Sequence, residues 1–210
     1  MYEKCIKRIF DFTLSFCALI VLFPFLLVLC LVIKIKLGSP VIFKQARIGK
    51  GEKVFNLYKF RTMTDEKDEN GNLLPDSQRL TKIGRFLRST SIDELPELIN
   101  IIKGDLSIIG PRPLIVSYLP FYTDEERHRH DVRGGLVPPE VLYNNIQPSW
   151  EEQLSYEAYY AQNVTFILDF KIFLSTIKGL FNRSSVDYGS YVRESLITER
   201  TEKETVGVNK

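Results

Sequence analysis

The chain has 210 residues, 44% hydrophobic and 26% charged, which suits one domain with an attached segment and excludes a disordered or collagen-like chain. Its net charge of +2 conceals a split: residues 1–61 carry 11 Lys+Arg against 3 Asp+Glu, whereas the remainder carries 17 against 23. A basic region beside an uncharged apolar run points to an anionic membrane surface and argues against a soluble cytosolic enzyme, and a single such run argues against a polytopic transporter.

Residues 12–33, FTLSFCALIVLFPFLLVLCLVI, contain no charge. The run is long enough to cross ~30 Å of hydrocarbon as a helix. It is too long for a signal peptide, and Lys34 and Lys36 stand where a cleavage site would be. Pro24 deletes the helical hydrogen bond to the carbonyl of Ile20 and favours a bend. The halves on either side, 12–23 and 25–33, would each be ~14–18 Å long, about one leaflet. Lys4, Lys7 and Arg8 precede the run; Lys34, Lys36, Lys44 and Arg47 follow it. Two basic flanks suit a re-entrant hairpin with both ends on the cytoplasmic face, and a kinked spanning helix is the alternative. Cys5, Cys17 and Cys30 all lie in or beside this segment, so the polar part needs no oxidising compartment.

Val41–Phe43 and Val54–Tyr58 read as short strands around a GKGE turn. The acidic stretch 65–79 reads as a solvated loop. Residues 80–89 predict a basic amphipathic helix with Ile83, Phe86 and Leu87 on one face. Further helices are predicted over 91–103, 121–130, 149–163 and 166–182, with a Gly/Pro-bracketed stretch at 104–116 and a loop around Gly134, Gly135, Pro138 and Pro139. The helix over 166–182 has a broad apolar face, Phe166, Ile167, Phe170, Phe173, Leu174, Ile177, Leu180 and Phe181, with Lys171 and Lys178 beside it. It suits either core packing or a position in the membrane interface. From Ser184 the sequence reads as a polar, loosely ordered tail. The organisation expected is a membrane anchor at 1–37, a main polar domain at 38–183, the place for any catalytic site, and a tail at 184–210. The fold class is mainly α with a small β-hairpin; on the re-entrant reading it is a monotopic membrane protein with an N-terminal re-entrant helix-turn-helix and interfacial amphipathic helices.

Chemistry could reside at Asp93-Glu94. Pro96 lacks an N–H and is tolerated only in a first helical turn, which places both carboxylates at the start of a helix. Ser91 and Glu94 fit a capping box, an ordinary structural use. The catalytic use divides the labour: one carboxylate attacks phosphorus, while its neighbour helps hold Mg²⁺, which prefers oxygen ligands and phosphate. In Gly110-Pro111-Arg112-Pro113 two prolines rigidly present one arginine, suited to bidentate phosphate contacts; taken by itself, the motif is more often an ordinary surface turn. Lys59, Arg61 and Arg88 add cations. His128, His130 and Asp131 lie in the charged run DEERHRHDVR, read as a solvated face rather than a metal site. There is no Walker loop, GxGxxG or Ser-His-Asp signature.

The order KRIFD, apolar run with central proline, GSPVIFKQARIGKGEKVFNLYKFRTM, IDELPELINIIKGDLSIIGPRPL, RHDVR, then SWEEQL and LDFKI resembles the bacterial sugar transferase family, small monotopic polyprenyl-phosphate phosphoglycosyl transferases. KFRTM, DELPEL and GPRP in that order carry the resemblance, which extends to about residue 183. It implies that Asp93 attacks the sugar-bearing β-phosphate of a UDP-sugar, releasing UMP, and that the phosphate of a polyprenyl phosphate, typically undecaprenyl phosphate, then collects the phosphosugar. It implies Mg²⁺ as cofactor with Glu94 as its partner, and Asp93 beside it. Arg112 matches a phosphate-handling arginine, Lys59, Arg61 and Arg88 match basic positions of the same cleft, and Asp169 matches a further position of unspecified role. Pro24 matches the membrane bend. The location implied is the cytoplasmic face of the bacterial inner membrane, and the pathway is the first membrane step of a surface glycan such as capsule or exopolysaccharide. Membrane lipids are implied partners, a homo-oligomer is allowed, and nucleic acid is not expected. The chain departs from the family pattern at Phe23, where a small hydroxyl residue commonly precedes the proline, and at GGLVPPEVLYNN, where many members read PGLTGxAQVxGR. Two competing functions are a phosphatase or pyrophosphatase using the same acid pair and a non-catalytic membrane scaffold.

Overall fold

The computed structural model describes residues 2–143, 148–181 and 193–208. Asn144 and Asn145 of the expected loop, and residues 184–192 of the expected tail, lie outside the described residues. A π-helical turn, Tyr2–Ile6, enters α1 (Lys7–Leu37), followed by the antiparallel hairpin of β1 (Ile42–Ile48) and β2 (Val54–Phe60). Then come α2 (Asp76–Arg79), α3 (Lys82–Ser89), α4 (Glu97–Lys103), β3 (Ser107–Ile109), α5 (Asp124–Arg127), β4 (Gly135–Val137), α6 (Trp150–Gln162), α7 (Phe166–Phe181) and α8 (Leu196–Val208). The expected mainly helical chain with a small hairpin is therefore observed.

The N-terminal segment differs from the expected helix-turn-helix: residues Lys7–Leu37 form one helix that runs through Pro24. The physical reason is that proline removes a single hydrogen bond while its fixed φ remains helical, so the ladder resumes on either side. Phe23 offers no hydroxyl to stabilise a turn there. Most of the apolar run is exposed, Val21 at 77% and Val28 at 62% among others, and the helix is long and apolar enough to cross a membrane.

The residues form two compact units, each assembled from separated stretches. One comprises residues 11–45 and 56–104. Its core joins Leu29, Ile33 and Leu37, four apart on one face of α1, to Phe60 of β2 and Leu87 of α3. Phe86, expected on the same face as Leu87, points outward at 59% exposure. Gly84 decides this: a Cβ there would lie 1.9 Å from the Thr62 carbonyl oxygen, so α3 turns its glycine to the backbone and Phe86 away. Gly84→Ala is accordingly expected to lower stability by about 1–3 kcal/mol or more through overpacking, read as a fall in the thermal unfolding midpoint.

The other unit comprises 1–10, 46–55 and the described residues from 105 onward. Ile48, Leu114, Tyr118, Tyr122, Trp150, Leu154 and Leu196 form one core cluster; Ile109, Val132, Tyr160 and Ile172 form another. β3 and β4 pair in parallel, Ser107 with Gly135 and Ile109 with Val137. The sequence showed β4 only as a loop, because three residues flanked by glycines and prolines carry no strand periodicity. Glycine makes the pairing possible, since a Cβ on Gly135 would lie 2.1 Å from the Gly110 nitrogen. Ser149 and Glu152 close a capping box at the start of α6. Of the apolar face of α7, Phe166, Ile167, Phe170, Phe173, Leu174 and Ile177 are exposed, while Ile172 is fully buried. The tail expected to be loosely ordered instead carries α8, whose Leu196 is fully buried in the first cluster.

Candidate active site

Asp93 and Glu94 occupy a 3-10 turn, Ile92–Glu94, and α4 begins only at Glu97, after Pro96. The capping box proposed for Ser91 and Glu94 is not formed: Ser91 adopts a left-handed conformation at φ 55° and makes no side-chain cap bond. Such a conformation costs a non-glycine residue roughly 1 kcal/mol or more and is concentrated at functional sites. It turns the chain sharply out of α3 and into the acid pair.

Lys59 of β2 bridges two acids, with its Nζ 2.6 Å from Glu94 Oε1 and 3.3 Å from Glu97 Oε1. Asn100 sets this register: fully buried, it accepts from the Tyr58 N–H at 3.0 Å and donates to the Asn56 carbonyl at 2.8 Å. β2 is thereby stitched to α4, which sets Lys59, the residue after Tyr58, beside Glu94. Arg88 donates to the Thr62 hydroxyl at 3.0 Å and places positive charge near Asp93. Burial, then the adjacent Glu94, raises the Asp93 carboxyl above its ordinary value; Lys59 and Arg88 pull it down. Arg61 is committed elsewhere, donating to the carbonyls of Met63 and Ser39 and pairing with Asp65 at 2.7 Å. Thus Asp93, Glu94, Lys59 and Arg88 come together, and Arg61 supports the neighbouring loop. Glu97 was overlooked in the sequence, although it lies three residues after Glu94 in the same DELPEL motif.

Among the described residues, no group of three or more His, Cys, Asp or Glu side chains is arranged to hold a metal ion. The donor set nevertheless fits Mg²⁺, which takes one or two carboxylates from a protein and completes its shell with water and substrate phosphates. The repulsion between Asp93 and Glu94 that raises Asp93 is the interaction a divalent cation relieves.

In the other unit, the GPRP turn rests on a buried ion network. Glu157 of α6, fully buried, accepts from the Arg112 backbone N–H at 2.9 Å and from Arg129 Nε at 2.7 Å, and Arg129 Nη2 donates to the Arg112 carbonyl at 2.5 Å. Both backbone groups of Arg112 are fixed while its side chain is exposed. Arg129 and His130 lie in the run expected to be a solvated face, yet they are 1% and 5% exposed; the Glu157 carboxylate draws Arg129 inward. Burial, with Arg129 and Arg127 nearby, pushes His130 down to about 3. His128 faces solvent and pairs with Asp131 at 2.8 Å. Glu140, in the departing GGLVPPEV loop, is pushed up to about 8 by burial and by Glu157.

Asp169 has a structural setting. It is buried and receives Lys7 Nζ at 2.6 Å, the Tyr2 hydroxyl at 2.7 Å and the Tyr160 hydroxyl at 2.6 Å. Removing one partner of a buried pair strands the other charge and costs about 3–5 kcal/mol. Asp169→Ala is therefore expected to lower the unfolding midpoint substantially, with Lys7→Met in the same background restoring part of it.

A carboxylate pair faced by an ammonium and a guanidinium, and an arginine displayed on a rigid turn, are the equipment of an enzyme that handles phosphate esters. The chain belongs to the bacterial sugar transferase family, whose profile matches residues 2–183. It is 44% identical over 193 residues to the uncharacterized sugar transferase EpsL of Bacillus subtilis (strain 168), covering 92% of this chain and 96% of that protein. It is 35% identical over 189 residues to the exopolysaccharide production protein PSS of Rhizobium leguminosarum bv. phaseoli, covering 83% and 94%. Over 190 residues it is 35% identical to the UDP-glucose:undecaprenyl-phosphate glucose-1-phosphate transferase of Klebsiella pneumoniae, covering 85% of this chain but 41% of that longer protein.

Proposed function

We propose that the protein is a phosphoglycosyl transferase that moves a phosphosugar from a UDP-sugar to a polyprenyl phosphate of the undecaprenyl type, releasing UMP. The observation that carries this reading is the buried Asp93, its carboxyl pKa raised, beside Glu94 and Lys59, in a member of the bacterial sugar transferase family. An Asp93 carboxylate oxygen attacks the β-phosphorus, the bond from that phosphorus to the bridging oxygen breaks, and UMP departs with the electron pair. A phosphate oxygen of the lipid then attacks the same phosphorus, breaking its bond to Asp93 and restoring the carboxylate. Lys59 orients Glu94, and Arg88 offsets the negative charge around Asp93 in both steps. Arg112 binds phosphate oxygens through its guanidinium. Mg²⁺ held at Asp93 and Glu94 would neutralise diphosphate charge.

The exposed apolar surfaces of α1 and α7 support a seat in the bacterial inner membrane, where a lipid phosphate acceptor remains at headgroup depth. The catalytic residues face the cytoplasm, the source of UDP-sugars, and basic residues on both sides of the apolar run support both ends of α1 lying on that side, which requires α1 to bend within the bilayer at Pro24. Labelling of a single cysteine at residue 2, with Cys5, Cys17 and Cys30 replaced, is expected to proceed from the cytoplasmic side; exclusive labelling from the opposite side overturns this topology and leaves the chemistry standing.

The enzymatic test is incubation with a panel of UDP-sugars, Mg²⁺ and undecaprenyl phosphate, following UMP release and product mass. UMP release that requires the lipid phosphate, with a polyprenyl diphosphate sugar as product, is expected. Phosphate release without lipid identifies a phosphatase, and activity toward none of the panel after Asp93-independent membrane binding identifies a scaffold.

A further inference from the structure

The segment beyond the family match returns to the protein body at the support of Arg112. The family profile ends at residue 183, and the described chain resumes at Arg193. There the guanidinium stacks 3.6 Å from the Trp150 ring centroid while Nη1 donates to Gln153 Oε1 at 2.8 Å. The Trp150 indole N–H donates to the Glu194 carbonyl at 3.0 Å. Leu196 then enters the core beside Trp150 and Leu154, and Arg200 pairs with Glu126 of α5. The contact is thus built from a stacked cation, a side-chain bond, a backbone bond and a buried leucine.

What the strap touches gives it consequence. Gln153 passes its amide N–H to Glu157 Oε1 at 3.1 Å, and that oxygen also accepts the Arg112 backbone N–H at 2.9 Å. The amide of Gln153 is the only link in this chain of bonds that both donates and accepts, so pinning its oxygen with Arg193 fixes which way its N–H points. Gln153 is 5% exposed and Glu157 fully buried, so water does not readily replace a lost partner.

We propose that the strap at residues 193–196 is a positioning device for Arg112, acting through Gln153 and Glu157 to hold the GPRP turn in its phosphate-binding arrangement. This rests on the reading of Arg112 as a phosphate-binding group. Arg193 and Gln153 are positioning residues: neither needs to touch substrate. Because the chain of bonds couples the two ends, binding of a diphosphate at Arg112 and docking of the strap at Trp150 favour each other.

Trp150 is the single tryptophan of the chain, so its emission reports strap docking directly, while calorimetry with UDP and Mg²⁺ reports phosphate binding. The test uses the full chain in lipid nanodiscs. Arg193→Ala is expected to red-shift the resting emission and weaken UDP binding about tenfold. Gln153→Met, which cuts the relay but leaves the stack, is expected to weaken UDP binding similarly with little change in emission, and combining both substitutions is expected to add nothing further. Arg112→Ala is expected to weaken UDP binding with unshifted emission. An unshifted spectrum in Arg193→Ala, or undiminished UDP affinity in Gln153→Met, overturns the proposal. Undiminished affinity in Arg112→Ala instead overturns the reading of Arg112 on which it rests. A Gln153→Met protein with a normal unfolding midpoint and weakened UDP binding separates positioning from loss of fold.

Discussion

Asp93→Asn is expected to abolish sugar-phosphate transfer, by at least about a thousandfold, while leaving the protein folded. The amide lacks the charge, and its oxygen is a far weaker nucleophile than a carboxylate oxygen; the neighbouring carboxylate, Glu94, is engaged with Lys59 at 2.6 Å. The stability sign is opposite to that of an ordinary salt-bridged aspartate. Burial and Glu94 raise the folded-state value of Asp93, so its contribution to stability is fully present below the unfolded-state value and is lost as pH rises through the folded-state one. At neutral pH the ionised carboxylate is therefore a strained element, and its neutral isostere is expected to match or exceed the wild-type unfolding midpoint. The same shift places the acid limb of the wild-type rate profile above that of an ordinary aspartate, because turnover needs the ionised form. Intact-mass measurement without lipid acceptor is expected to show a phosphosugar adduct on the wild type and none on Asp93→Asn. Retained transfer in the variant removes Asp93 from the nucleophile's role.

What the sequence disclosed and what it withheld divides along physical lines. Asp93 and Glu94 are neighbours, so their proximity was readable without a fold, and Pro96 located the turn correctly to within one helical turn. The helix itself started later, because a left-handed Ser91 breaks the chain direction in a way that no propensity reveals. Lys59 was legible as a nearby cation, but its partner Glu97 was not, since pairing across β2 and α4 depends on Asn100 setting the register. Arg129 was masked more completely. Within EERHRHD it looks like one charge among many, and only the Glu157 carboxylate, 28 residues away, distinguishes it from its neighbours. The same holds for α8: a polar tail gives no sign that a single leucine and an arginine stacked on Trp150 fasten it. Pro24 is a different case: the helix continues through it, because proline removes a single hydrogen bond and keeps a helical φ, so the residue marks a bend rather than an end.

The contrast between Arg112 and Glu157 separates presentation from support. Arg112→Ala removes an exposed side chain but keeps the backbone N–H and carbonyl that Glu157 and Arg129 hold. The unfolding midpoint is expected to stay within a degree or two of wild type. The rate is expected to fall by the equivalent of about 2–4 kcal/mol, the cost of deleting one preorganised charged donor. Glu157→Gln changes no shape but takes away the countercharge of Arg129, which is 1% exposed. Stranding that guanidinium is expected to cost about 3–5 kcal/mol of stability, and the GPRP turn loses its anchor with it, so transfer declines as well. Replacing the pair together, Glu157→Leu with Arg129→Met, is expected to recover much of the stability, since a buried ion pair can often be exchanged for apolar residues at little cost. The recovered protein is nevertheless expected to remain slow, because the bonds that Glu157 and Arg129 make to the Arg112 backbone are gone. Full recovery of rate in that double variant would show that the prolines alone present Arg112, and an equal loss of midpoint in Arg112→Ala would assign its side chain to packing.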